Sequence, residues 1–176
     1  RKELNEILSP NDDLNLLIIN IDALITKKGK IMIEKFLNTR MALMCIDEST
    51  TIKTPSAKRT KEAIRLGKDA RYRRILTGSP VTKSPLDVFT QCEFLNSHLL
   101  GFSSYYSFRN KFAVTEDMYL GGRTIKQVVG YKNTADLHEI LQEFSYRVTK
   151  DECLDLPPKV FMRREFEMTK EQKAAY

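Results

Sequence analysis

An α/β fold with a parallel sheet is predicted by three features of the chain. Apolar runs alternate with amphipathic segments of helical spacing through its first half. One run, Leu43-Met44-Cys45-Ile46, ends abruptly in Asp47-Glu48-Ser49-Thr50. About thirty residues later Arg74-Ile75-Leu76 runs in the same way into Thr77-Gly78-Ser79-Pro80. Buried parallel strands read as continuous apolar runs, and open α/β sheets hold ligands just past the carboxyl ends of such strands.

The elements follow in order. Leu14 to Asn20 reads as a buried strand. Asp22 to Leu24 starts a turn or short helix. Ile31 to Leu37 is helical, with Lys30 and Lys35 pointing outward. Met41 to Ile46 is the second strand, with Cys45 as a small core residue. Pro55-Ser56 opens a helix with Ser56 as N-cap, which runs to about Leu66 and stops at Gly67. Arg74 to Leu76 is the third strand. Strand, helix, strand, helix, strand is the pattern of parallel βαβ units.

Ser84-Pro85-Leu86-Asp87 is a helix start, with a cap, a proline in the first turn and an acid after it. The helix that follows buries Val88, Phe89, Cys92 and Leu95. Tyr105, Phe108 and Phe112 share one stripe of another helix. Gly121-Gly122 turns a hairpin between Asp117–Leu120 and Arg123–Val129. Thr134 begins a helix with Leu137, Ile140, Leu141 and Phe144 at core spacing. Leu156-Pro157-Pro158 is a hard break. Val160, Met162, Phe166 and Met168 then alternate as a strand with one buried face, interrupted by Arg164. Thr169-Lys170-Glu171-Gln172 is a capping box that opens a final helix.

The 176 residues are enough for one domain with a real core, and 41% hydrophobic with 30% charged residues is an ordinary soluble composition. No apolar run approaches the ~20 residues of a membrane span. The chain opens on Arg1-Lys2-Glu3, without an initiator Met or a signal peptide, and reads as a piece of something longer. Net charge is +6, and between Lys53 and Lys83 ten Lys or Arg face two acids, Glu62 and Asp69. Such a run is either a solvated helix face or a phosphate-contacting surface with salt-sensitive affinity for nucleic acid. Cys45, Cys92 and Cys153 are scattered, match no metal spacing and suggest a reducing cytosol. His98 and His138 lie near no acid or cysteine cluster and read as non-catalytic.

Asp47-Glu48 is the chemistry-bearing pair. An aspartate past a strand end can hold Mg²⁺ on a nucleotide phosphate, and the next glutamate can orient the attacking water. Taken alone, the same residues are also what a strand end followed by a helix cap looks like.

The two loops together resemble motifs II and III of superfamily-two helicase-like ATPases. The longer pattern resembles the Swi/Snf type, in a phage or bacterial member. Asp47 through Arg59 is similar to that family's extended motif II, in which an Ile-Lys-Asn-Pro-like segment and a basic helix follow the acids. Leu76-Thr77-Gly78-Ser79-Pro80 resembles motif III. Ile18-Ile19-Asn20-Ile21-Asp22-Ala23-Leu24 looks like the family's Thr-Asn-Tyr-Asp strand end. Phe108-Arg109-Asn110-Lys111-Phe112 and Val129-Gly130-Tyr131-Lys132-Asn133 fit its helical protrusion, and Arg147 through Lys159 resembles the segment that closes its first lobe. The implied fold is a partial RecA-like lobe with a helical and hairpin protrusion. Residues 1–83 form the lobe core, 84–150 the protrusion, and 151–176 the closing strand and the start of a linker helix.

The resemblance implies a motor that hydrolyses ATP with Mg²⁺ and moves on double-stranded DNA, either in the cytoplasm at a nucleoid or in a eukaryotic nucleus. Asp47 then holds the metal and Glu48 acts on water. Ser49 and Thr50 link to Thr77, Gly78 and Ser79, and Asn20, Lys53, Lys58 and Arg59 contact DNA phosphates. A catalytically inactive DNA- or protein-binding module and an RNA helicase of the same superfamily are the alternatives. Thr50 stands where the family usually has histidine, so this position cannot carry a charge. Of the Gly-Lys pairs, Gly29-Lys30 and Gly67-Lys68 have Leu24 and Glu62 where a Walker A loop needs its first glycine. Gly122-Arg123 has Tyr119 where the arginine motif of a second lobe needs glutamine. The chain is therefore expected to be the later part of a first lobe, to need that nucleotide cradle and second lobe as partners, and to be inactive and prone to self-association on its own.

Overall fold

The apolar run before Asp47 forms β1 (Leu43–Ile46), and Tyr72–Ile75 forms β2 beside it. The two strands pair in parallel, Leu43 against Tyr72 and Ile46 against Ile75, in the computed structural model of the chain, which describes residues 14–153 and 160–175. Parallel neighbours need a long crossover, and this one carries helix α2 (Lys58–Gly67). Helix α1 (Lys27–Asn38) precedes β1. Thr26 caps it by accepting from the Gly29 amide at 3.0 Å. The architecture is a mixed helix and strand one with a small parallel sheet.

Residues through Phe144 form one compact unit and residues from Ser145 a second. The first unit holds two apolar clusters. One gathers Leu24, Phe36, Ile46, Ile52, Leu66 and Phe94 under the parallel sheet. The other gathers Leu86, Phe89, Phe108, Phe112 and Leu137. Helix α3 (Val88–Leu95) gives Phe94 to the first and Val88, Phe89 and Cys92 to the second, and its Thr90 and Gln91 are buried as well. A helix buried on so many sides must satisfy its own polar groups internally.

The second cluster is closed by α4 (Tyr105–Phe112), whose Ser104 and Ser107 form a reciprocal capping box, and by α5 (Thr134–Gln142). Phe108 stacks against Phe89, Phe102 and Phe112 with ring centroids 4.8–5.3 Å apart. Between the two helices β3 (Ala113–Leu120) and β4 (Arg123–Tyr131) form an antiparallel hairpin. Its two-residue turn, Gly121-Gly122, has φ of 54° and 83°, which glycine adopts without a steric penalty.

Several expectations are corrected. Leu14 to Asn20 is not a buried strand. It joins no ladder, and Leu14, Leu16 and Ile18 are exposed, while only Leu17 and Ile19 lean on the first cluster. This stretch and β1 instead line a groove of about 360 Å³. Cys45 is exposed rather than core. Strand alternation puts Leu43 and Cys45 with Tyr72 and Arg74 on a sheet face that no described helix covers, and turns Met44 and Ile46 inward. Ser56 is not the N-cap of α2. Ala57 holds that place in extended conformation, because the chain first turns through a bond from the Ala57 amide to the Thr54 carbonyl. Lys30 does not point freely outward but pairs with Glu62 on α2.

In the second unit Val160, Met162 and Phe166 are 76–84% exposed and form no strand. Alternation alone makes no strand without a partner edge and an apolar surface to cover. The unit's ordered pieces are α6 (Lys150–Cys153) and α7 (Lys170–Ala175). The expected capping box forms at the latter, with the Thr169 amide donating to Gln172 Oε1 at 3.0 Å and the Gln172 amide to Thr169 Oγ1 at 3.3 Å. The break at Leu156-Pro157-Pro158 lies outside the described residues. No helix among the described residues is long and apolar enough to cross a membrane.

One glycine sets the entry angle of α1. A Cβ on Gly29 would stand 2.1 Å from the Ala23 carbonyl oxygen, which already accepts from the Thr26 amide and hydroxyl, both at 3.0 Å. Helix propensity favours Ala over Gly by about 1 kcal/mol. We expect Gly29→Ala nonetheless to lower stability by about 1–3 kcal/mol, the usual cost of overpacking. Urea unfolding midpoints measure the change, and a stabilised variant would show that the corner yields freely.

Candidate active site

Both loops of the site grow from the carboxyl ends of β1 and β2. The parallel ladder does not stop with the strands. The Leu76 amide donates to the Ile46 carbonyl at 2.9 Å, and the Ser49 amide donates to the Leu76 carbonyl at 3.0 Å. The two loops are thereby fastened together at their roots. Between these bonds Asp47 and Glu48 stand exposed, past the strand end where the sequence places them.

Glu48 reverses the chain direction. It adopts φ 49° and ψ 57°, a left-handed conformation that costs a non-glycine residue about 1 kcal/mol or more. Its amide is met by Asp47 Oδ1 at 3.0 Å. The kink leaves the two carboxylates in solvent and drives the next residue, Ser49, to full burial at the start of the 3-10 turn Ser49–Ile52.

Ser49 meets α3. Its hydroxyl donates to Gln91 Oε1 at 2.6 Å, while Gln91 Nε2 donates to the Pro80 carbonyl and to the Asp87 carbonyl, each at 2.8 Å. Thr90 Oγ1 donates to the Ile52 carbonyl at 2.6 Å, the far end of the same 3-10 turn. Asp87, just ahead of α3, accepts from the Thr82 hydroxyl at 2.7 Å, the Lys83 amide at 3.0 Å and the Thr82 amide at 3.2 Å. Its carboxylate also lies 3.8 Å from the Lys53 ammonium. Burial pushes the Asp87 carboxyl up, but the Lys83 and Thr82 donors and the nearby Lys53 charge outweigh it and hold the group below the usual aspartate range. Cys92, one residue beyond Gln91, is pushed up to about 12 by burial and stays a neutral thiol.

The expected site residues therefore divide. Ser49 is joined to the second loop at Leu76 through its backbone and at Pro80 through Gln91. Those two residues flank Thr77, Gly78 and Ser79, whose own bonds are local. Thr77 Oγ1 accepts from the Ser79 amide at 3.2 Å, and Ser79 Oγ donates to the Val81 carbonyl at 2.7 Å. Gly78 is exposed, with nothing within 4 Å of where a Cβ would stand, and Thr50 is half-buried in the 3-10 turn. Of the four expected phosphate contacts, Asn20 caps the Ile21–Ile25 turn by accepting from the Asp22 amide at 2.9 Å. Arg59 pairs with Asp22 at 3.0 Å, and Lys53 is engaged with Thr82 and Asp87. Lys58 is exposed at the start of α2 and makes no ion pair among the described residues.

Thr90, Gln91 and Asp87 were not singled out as site residues from sequence. The signal was present for two of them: Thr90-Gln91 is the polar interruption in an otherwise apolar helix. Among the described residues no three His, Cys, Asp or Glu converge to cage a metal. One or two exposed carboxylates are instead the donor set with which a protein holds Mg²⁺ that is already bound to a nucleotide's phosphates. The residues present fit that ion at Asp47.

The SNF2-related domain matches residues 6–176. The chain belongs to the SNF2-related family. This family comprises Swi/Snf-type, superfamily-two helicase-like ATPases. The chain is 29% identical over 146 residues to the human DNA annealing helicase and endonuclease ZRANB3, covering 82% of this chain and 13% of that protein. It is 30% identical over 116 residues to the TATA-binding protein-associated factor mot1 of Aspergillus fumigatus, covering 65% of this chain and 6% of that protein. A Drosophila melanogaster SWI/SNF-related matrix-associated actin-dependent regulator of chromatin, subfamily A-like protein 1, is 31% identical over 72 residues, which is 41% of this chain and 10% of that protein. The chain thus spans a small part of the length of these relatives. No solved structure matches it.

The Asp87 cluster yields a pH test. Asp87→Ala strands two backbone amides and a lysine and should cost roughly 2–3 kcal/mol at neutral pH. A carboxyl held low in the fold stabilises fully above its unfolded value of about 3.9 and loses that contribution as pH falls through the lower folded value. The gap between wild type and Asp87→Ala in urea unfolding should be constant from about pH 8 to about pH 5 and narrow below about pH 4. A gap that persists undiminished into strong acid would assign it to packing instead of charge.

Proposed function

We propose that the protein carrying this chain hydrolyses ATP and couples hydrolysis to movement along double-stranded DNA. In this reading the chain is the later part of the first RecA-like lobe, with residues 84–150 as its protrusion and the stretch from 151 leading towards a second lobe. The observation that carries the reading is the pair of exposed carboxylates at the end of β1, fastened by the Ser49–Leu76 bond to the second loop. Family membership alone would allow an inactive relative. An intact acid pair presented to solvent at a strained turn is what hydrolysis needs.

Asp47 would hold nucleotide-bound Mg²⁺ through its carboxylate, and Glu48 would orient the attacking water and take up its proton. Bound Mg²⁺ supplies charge neutralisation of the phosphates. Ser49, one residue on, is anchored, so a shift of the acid pair reaches the Thr77–Ser79 loop. Lys58 offers the phosphate backbone an exposed cation that has no acidic partner among the described residues. Arg59 and Lys53 contact phosphate by exchanging Asp22 and Asp87 for it, and Asn20 lies beside Asp22 on the same approach. Such contacts are independent of base sequence and weaken with salt.

In the full-length protein, Glu48→Gln should lower ATP turnover by about 10²–10⁴-fold while nucleotide still binds. Wild-type turnover should rise with duplex DNA more than with RNA. Turnover by the variant within a factor of about two of wild type would remove Glu48 from the chemistry, and stimulation by RNA alone would replace the partner.

A further inference from the structure

We propose that Gln91 is the positioning residue that makes the acid-bearing loop and the Thr77–Ser79 loop move as one, by holding Ser49 and Pro80 on a single amide. The proposal rests on the hydrolase reading above and names the device that regulates that site.

Gln91 is 1% exposed and sits on a helix whose other inward residues are almost all apolar. A leucine or methionine would fill the same space without the cost of burying an amide. The amide is retained in full use. Its oxygen accepts from Ser49 at 2.6 Å, and its two N–H groups serve Pro80 and Asp87 at 2.8 Å. These three partners lie on three different pieces of chain: the loop after β1, the loop after β2, and the turn that leads into α3. The first is one residue from Glu48 and the second one residue from Ser79.

The second loop has little else to hold its crest. Gly78, Ser79 and Pro80 are exposed, and the bonds within the loop are local. Its near end is tied to Ser49 by backbone, and its far end is tied to Ser49 through Gln91. Ser49 is therefore the common anchor of both ends, and Gln91 is the part of that anchor made by a side chain that can be changed. A buried network whose every member is satisfied has one low-energy arrangement, so displacement at Ser49 is passed on instead of being absorbed.

Two substitutions separate donor from acceptor. Gln91→Met keeps the volume and removes both roles. Gln91→Glu keeps the acceptor for Ser49 but sets a carboxylate against the Pro80 and Asp87 carbonyls. The other charged groups at this place are Asp87 and Lys53, while Cys92 stays neutral. Asp87 is held low and remains ionised across the range used, so the introduced carboxyl is the group that titrates. Its burial among carbonyls raises its own proton affinity, and once protonated it can donate to Pro80.

The experiment uses the full-length protein with duplex DNA. At pH 8 both variants should lose about 10–100-fold in kcat for ATP with KM for ATP changed less than about threefold, as expected when reacting groups are misplaced and not when binding is lost. Lowering pH to 6 should restore Gln91→Glu towards the wild-type rate measured at the same pH and leave Gln91→Met impaired. Folded variants that turn over as wild type does overturn the proposal, as does a Gln91→Glu deficit equal to that of Gln91→Met at every pH. If thermal melting shows either variant unfolded, Ser49→Ala decides, with the same loss in kcat supporting the tie and wild-type kcat overturning it. Wild-type turnover that survives Glu48→Gln overturns the hydrolase reading, and this proposal with it.

Discussion

Helix α3 has almost no wet side, and much of the site follows from that. Its apolar residues serve two clusters at once, with Phe94 under the sheet and Val88, Phe89 and Cys92 against the aromatic cluster. Burial on so many sides leaves Thr90 and Gln91 no water to bond. An unpaired buried amide or hydroxyl costs roughly 1–3 kcal/mol, so each must capture a protein partner. The available partners are the loops that leave β1 and β2. The demand for hydrogen-bond satisfaction inside one helix thus becomes the geometry of two functional loops.

The arrangement separates rigid from free parts within a few residues. Ile46, Ser49 and Ile52 are buried and bonded, whereas Asp47, Glu48 and Gly78 stand in solvent. Glu48 carries the strain of the transition, its left-handed backbone lying between the exposed acids and the buried serine. The bonds made by Ser49 on its far side offset that strain. Carboxylates presented in this way are anchored at the backbone and able to meet a charged ligand.

Much of this was legible in the sequence, for reasons that differ by element. The acid pair, the second loop, the Gly121-Gly122 hairpin and the Thr169–Gln172 box are local signals, and local chemistry decides them. The Leu14–Asn20 stretch and the Val160–Met168 alternation were misread because strand formation depends on a partner edge that no local pattern reveals. Cys45 was misread for a related reason, since an apolar run does not say which of its alternate faces finds a covering helix. Ser56 lost the cap position to Ala57 through a turn one residue earlier. Gln91 was passed over because a lone polar residue in an apolar helix declares that it needs partners without naming them. The expected phosphate contacts stayed mixed, since charge counts do not show that Arg59 and Lys53 already have acids while Lys58 has none among the described residues.

The central claim is that the two loops are fastened at Ser49. Native-state amide hydrogen exchange in the full-length protein without nucleotide reads that directly. If the account is right, the Ser49 amide exchanges as slowly as the strand amide of Leu76, because both open only when the sheet end opens, while Gly78 exchanges fast. Exchange at Ser49 as fast as at Gly78 would contradict it, since the loop after β1 would then be opening independently of the strand it is said to be tied to.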